Sequence, residues 1–90
     1  MFVQLFWDDL PGGNVEHIAL RGVTQEEFED IYFNDLIPTE FSDSTGRPTK
    51  AGVTSTGKFV RIVWEEEEGD PGDPLIIIPV TVFFPDDPLV

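Results

Sequence analysis

No cysteine occurs in this 90-residue chain, which excludes a disulfide framework and any thiolate metal site. Histidine occurs once, as His17, so a histidine metal cluster is excluded too. Base is scarce: 5 Lys and Arg stand against 18 Asp and Glu, for a formal net charge of -13 at pH 7. That excess of acid favours solubility and opposes generic nucleic-acid binding. No apolar run reaches the ~20 residues of a membrane span. Met1 to Trp7 lacks the basic start and the cleavage site of a signal peptide. The expectation is a cytoplasmic protein without metal or cofactor and without membrane association.

What is present suffices for a core. Hydrophobic residues make up 40% of the chain, too many for a disordered segment and enough for one domain over 1–90, with a loose tail at 85–90. Phe2 to Trp7 reads as a strand, and Asp8 to Gly13 as a loop broken by Pro11 and the Gly pair. Gly13 or Asn14 caps a first helix whose apolar stripe is Val15, Ile18 and Ala19. Gly22 suits the left-handed residue that closes it. Thr24 then caps a second helix, with Glu27 three residues on as the partner of a capping box and Val23 and Phe28 as the ends of a hydrophobic staple. Asn34, Asp35 and Pro38 end that helix.

The second half changes period. Residues 39–42 read as a short edge strand, 49–54 as a weak strand, and Ser55-Thr56-Gly57 as a turn. Lys58 to Trp64 alternates cleanly, with Phe59, Arg61 and Val63 on one face and Val60, Ile62 and Trp64 on the other. Glu65 to Pro74 reads as a solvated acidic loop. Leu75 to Phe84 is an apolar run that reads as a strand buried on both faces, with Pro79 demanding a bulge or an unpaired edge. The order predicts an α+β domain: strand, helix, helix, then three or four antiparallel strands, with both helices on one face of the sheet. So apolar a final strand must be covered by the helices or by a second copy, so a homodimer is expected.

Charge is unevenly placed. Ser44 to Trp64 contains no acid and holds Arg47, Lys50, Lys58 and Arg61, leaving only Arg21 elsewhere. These four either solvate strand faces or form an anion-binding sector on an acidic body. His17 is the one side chain whose ordinary pKa suits general acid–base work near neutrality. Four residues from Arg21, it shares a helix face with it on this reading, so His17 and Arg21 are either solvated or a catalytic acid–base with a phosphate-holding partner. Gly52 to Lys58, GVTSTGK, fits the start of a phosphate-binding loop, but Phe59 follows where a magnesium-binding hydroxyl is required. It reads as a hairpin turn.

Trp7-Asp8-Asp9, then Arg21-Gly22-Val23-Thr24 with Glu26-Glu27-Phe28, resembles the opening of the BrnT-like toxins. Gly46-Arg47-Pro48, Gly52-Val53-Thr54 and Gly57-Lys58-Phe59-Val60 resemble the family's strand–turn–strand part. The resemblance implies a RelE-like sheet with two helices and a ribonuclease held in check by an antitoxin. It also implies an acid–base role for His17 with Arg21, and phosphate contacts from Arg47, Lys50, Lys58 and Arg61. The chain departs from the pattern where chemistry is concerned. Arg21 stands in place of a His, Thr81 in place of an Arg, and Pro85-Asp86-Asp87-Pro88 in place of a basic segment. Loss of one well-placed donor to a transferred phosphoryl group costs ~10²–10³ in rate. The expectation is therefore a non-catalytic or weakened relative serving as a protein-interaction module, with an antitoxin-like protein as partner; the alternative is an RNA-cleaving toxin.

Overall fold

A computed structural model describes residues 2–85. Seven elements follow one another: β1 (Val3–Leu5), α1 (Asn14–Ala19), α2 (Gln25–Tyr32), β2 (Glu40–Phe41), β3 (Pro48–Val53), β4 (Phe59–Glu67) and β5 (Leu75–Phe83). They build the expected α+β architecture. The five strands form one sheet in the order β1-β5-β4-β3-β2. Three of the pairings are antiparallel, whereas β1 runs parallel to β5, with Val3 opposite Leu75. Apart from Pro85, the expected loose tail lies outside the described residues.

Both helices lie on one face of the sheet, α1 against β5 and α2 against β3 and β4. Ile18 of α1 and Phe28 and Ile31 of α2 meet Val60, Ile62 and Trp64 of β4 and Ile77 and Val82 of β5 in one buried cluster. Each such side chain, fully removed from water, contributes about 1.5–3 kcal/mol. Of the apolar stripe expected on α1 only Ile18 is fully buried; Ala19 faces water. Glycine is required at residue 22, where φ is +85° and the chain turns from α1 toward α2.

The start of α2 is as its sequence demands. Thr24 Oγ1 accepts from Glu27 N at 3.2 Å and Glu27 Oε1 accepts from Thr24 N at 2.9 Å, a complete capping box. Glu27 does more than cap. Its side chain is only 4% exposed and pairs with Lys58 Nζ at 3.1 Å, and it accepts from the Thr56 hydroxyl. One turn on, Asp30 Oδ2 takes the Ser55 hydroxyl at 2.7 Å and the Ser55 N–H at 3.1 Å. The β3–β4 turn is thereby fastened to α2. That turn is the GVTSTGK segment, which forms a hairpin with Gly57 at φ +88°. The Gly13 cap of α1 has no side-chain hydrogen bond. Asn14 instead spans the gap where β1 ends: its Nδ2 donates to Phe6 O at 2.9 Å and Pro79 O at 3.1 Å, and its Oδ1 accepts from Asp8 N at 2.8 Å.

Pro79 sits at the expected irregularity. Val63 pairs with Thr81 and Trp64 with Pro79, so Val80 is the extra residue of a bulge on β5. Two readings require correction. Glu65–Glu67 are not loop: they continue β4 opposite Ile78, Ile77 and Ile76. The ladder, the Arg47–Glu65 ion pair and the Trp64 Nε1 bond to Glu66 offset the repulsion among the carboxylates. Nor is β5 buried on both faces. Ile77, Pro79 and Val82 are buried under the helices, while Ile76, Ile78, Thr81 and Phe83 on the other face are half-buried.

Candidate functional site

Strand alternation decides which residues the helices leave uncovered. Thr49 stands opposite Val63 and Val63 opposite Thr81; Ala51 stands opposite Arg61 and Arg61 opposite Phe83. These residues share the open face of the sheet, since their neighbours Ile62, Trp64, Ile77 and Val82 fill the core beneath the helices. A groove of about 350 Å³ runs across this face, bounded by β2 and the β2–β3 turn on one side and by Thr81 and Phe83 on the other. Its floor is Thr49 and Val63, and its walls include Arg47, Arg61 and Phe41, the last 68% exposed.

Arg47 and Arg61 each hold a carboxylate at the groove. Arg47 Nε and Nη2 both lie 2.8 Å from Glu65 Oε1. Arg61 Nη1 lies 3.0 Å from Glu40 Oε2 and 3.3 Å from Thr49 Oγ1. Surface pairs of this kind contribute ~0–1 kcal/mol, so an incoming charged group displaces either partner at little cost.

The other two cations of the sheet turn to the opposite face. Lys50, 7% exposed, passes under α2 and donates from Nζ to Tyr32 O at 2.8 Å and Asn34 O at 3.2 Å. It caps the carbonyl end of α2, where the helix dipole favours a cation, and its ammonium lies 5.7 Å from the Tyr32 ring centroid. Burial, then the charge of Glu66, holds the Tyr32 hydroxyl above its ordinary pKa. Lys58 Nζ donates to Gly22 O at 2.8 Å and pairs with Glu27. Glu27 itself sits at about 2, below the ordinary carboxylate value. The Thr56 hydroxyl is the main cause; burial opposes it, and the Thr24 N–H and Lys58 add to it.

No single patch gathers the basic residues. Arg47 and Arg61 share the groove, Lys50 and Lys58 do not, and the expected common face of His17 and Arg21 is absent because α1 ends at Ala19, before Arg21. The Arg21 side chain is exposed and makes no ion pair among the described residues. His17 is exposed, and its Nε2 lies 3.1 Å from Thr81 Oγ1, which borders the groove. Among the described residues no three His, Asp or Glu side chains gather as a metal site, and no helix is long and apolar enough to cross a membrane. The chain matches no protein-family model, no curated protein and no solved structure.

The sequence placed Phe59, Arg61 and Val63 on one strand face, and that face is the open one. Phe41, Thr81 and Phe83 escaped notice as groove residues. The bulge at Val80 shifts the alternation of β5, so a strict period of two misassigns everything after Pro79.

Proposed function

We propose that this chain is a non-catalytic BrnT-like protein that works as an interaction module, docking a basic protein partner on the open face of its sheet. One observation carries this reading: of the four sheet cations, Lys50 and Lys58 turn to the helix face, and Arg47 and Arg61 each stand beside a carboxylate that repels phosphate. Arg47 holds Glu65, Arg61 holds Glu40, Lys58 holds Glu27, and Lys50 holds the last carbonyls of α2. RNA cleavage needs cations free to meet phosphates and the charge that builds on the transferred group. A groove with Phe41 and Phe83 beside exchangeable ion pairs suits a protein surface better: an apolar centre with polar groups around it. The net charge of -13 selects a basic partner and steers its approach. A cytoplasmic setting and an antitoxin-like partner belong to the same proposal. The BrnT-like relation rests on the residue motifs.

A ribonuclease reading is favoured by one feature, the contact of His17 with Thr81 at the rim of the groove that holds Arg47 and Arg61. Incubation of purified protein with mRNA and with ribosomes separates the two. No cleavage is expected; cleavage by the wild type that is lost in His17→Ala would overturn the non-catalytic reading. Purification from the native host is expected to recover a stoichiometric basic protein that Phe41→Ser and Glu40→Lys no longer retain. Recovery that these variants leave unchanged would refute docking at the groove.

A further inference from the structure

The outer edge of β1 carries unpaired backbone groups and two exposed aromatic rings. Leu75 N donates to Phe2 O at 2.9 Å and Phe6 N donates to Ile77 O at 2.8 Å. In a parallel ladder alternate residues bond the neighbouring strand, so Phe2, Gln4 and Phe6 direct their N–H and C=O toward β5. Val3 and Leu5 direct theirs outward, where no backbone partner meets them among the described residues. Their side chains pack against the core. Phe2, Gln4 and Phe6 therefore point to the open face, and Phe2 is 84% and Phe6 52% exposed. Natural edges are guarded by charge, proline, bulges or a covering element. Among the described residues β1 has only its shortness. Residues 2–7 carry no charge at all, in a chain in which 26% of residues are charged.

We infer that β1 is a self-association edge, pairing antiparallel with β1 of a second copy about a two-fold axis through Gln4. This register is self-complementary. Val3 of one copy exchanges both backbone bonds with Leu5 of the other, and Leu5 with Val3, so every outward group is satisfied. Gln4 faces its own equivalent across the axis. Phe2 stands opposite Phe6, and Phe6 opposite Phe2, which makes two cross-strand aromatic pairs on the open face. Sliding the register to place Val3 or Leu5 on the axis loses one of those pairings. The occupant is a second copy because the strand is uncharged: a basic partner has no acid to meet at residues 2–7. The route differs from the one the apolar β5 suggested, since β5 lies inside the sheet with strands on both sides. The axis stands perpendicular to the sheet, so both open faces end on the same side. An interface of three residues per strand belongs to the small, transient class, below ~1,200 Å².

Sedimentation of the purified chain over a concentration series tests this. The mass is expected to rise from 10.1 kDa toward twice that value, and more readily in high salt, because two copies of charge -13 repel until screened. Gln4→Lys and Gln4→Glu each place like charges on the axis and are expected to weaken association by about tenfold or more. An equimolar mixture of the two variants is expected to restore it. Gln4 is exposed and its backbone bonds face β5, so both variants keep the wild-type circular dichroism and melting temperature. A wild type that stays monomeric at millimolar concentration overturns the proposal. So do variants that associate like the wild type, or a mixture that fails to do so. None of these outcomes bears on the groove.

Discussion

Replacing Glu27 by glutamine keeps the shape of the side chain and removes its charge at the point where α2, the β3–β4 turn and Lys58 meet. One oxygen still accepts from Thr24 N, so the cap survives. The new amide group then faces two donors, the Thr56 hydroxyl and the Lys58 ammonium, which now lie beside a donor instead of a carboxylate. A folded-state pKa of about 2 against an ordinary 4.5 corresponds to about 3 kcal/mol favouring the charged, folded form. Lys58 is 42% exposed and regains water when its partner is lost, so the expected loss at pH 7 is about 2–3 kcal/mol. For a domain of this length, at ~0.05–0.15 kcal/mol per residue, that is a large part of the whole. Urea unfolding followed by tryptophan fluorescence measures it, with Trp64 buried in the core as reporter. The pH dependence identifies the cause. A depressed carboxylate pKa stabilises the fold above the unfolded value and loses that effect as pH falls through the folded one. The gap between wild type and Glu27→Gln should therefore be full above about pH 5 and close toward about pH 2. A gap under about 1 kcal/mol at pH 7, or one that does not change with pH, would refute the assignment of this carboxylate as the charged clasp.

Two further substitutions probe the helix face of the sheet. Lys50→Met removes the ammonium from the carbonyl end of α2 and leaves Tyr32 O and Asn34 O to water; a loss of about 1–2 kcal/mol in the same urea titration is expected. Gly52→Ala drives a methyl group into the end of the Ile37 side chain. A loss of about 1–3 kcal/mol is expected, with Ile37→Val in the same chain recovering part of it; no recovery would mean that the backbone, not Ile37, takes up the strain.

Local chemistry was legible where a residue acts on its near neighbours. Thr24 and Glu27 announce a capping box from their spacing, Gly22 its turn, and Lys58 to Trp64 its two faces. Pro79 announced a bulge, though not that Val80 would be the extra residue. What escaped the sequence depends on partners far along the chain. Glu65 to Glu67 look repulsive in isolation and become strand only because Ile76 to Ile78 lie opposite them. The parallel placement of β1 is invisible without β5. The cations near one another in sequence fall on both sides of the sheet, since Lys50 and Arg61 differ in parity along paired strands. Two of them serve the helices rather than a ligand. His17 and Arg21 looked like helix neighbours only on the assumption that α1 runs a turn longer than it does.

The last strand among the described residues, β5, is the one that joins β1 to the rest of the sheet. Val3 must find Leu75 across nearly the whole sequence, and β4 must find the same strand from the other side. Until β5 is in place, β2, β3 and β4 can pair with one another, while β1 is a lone three-residue strand without a sheet neighbour. Closure waits for β5, and the long loop between Val3 and Leu75 that it spans sets a slow pace for folding.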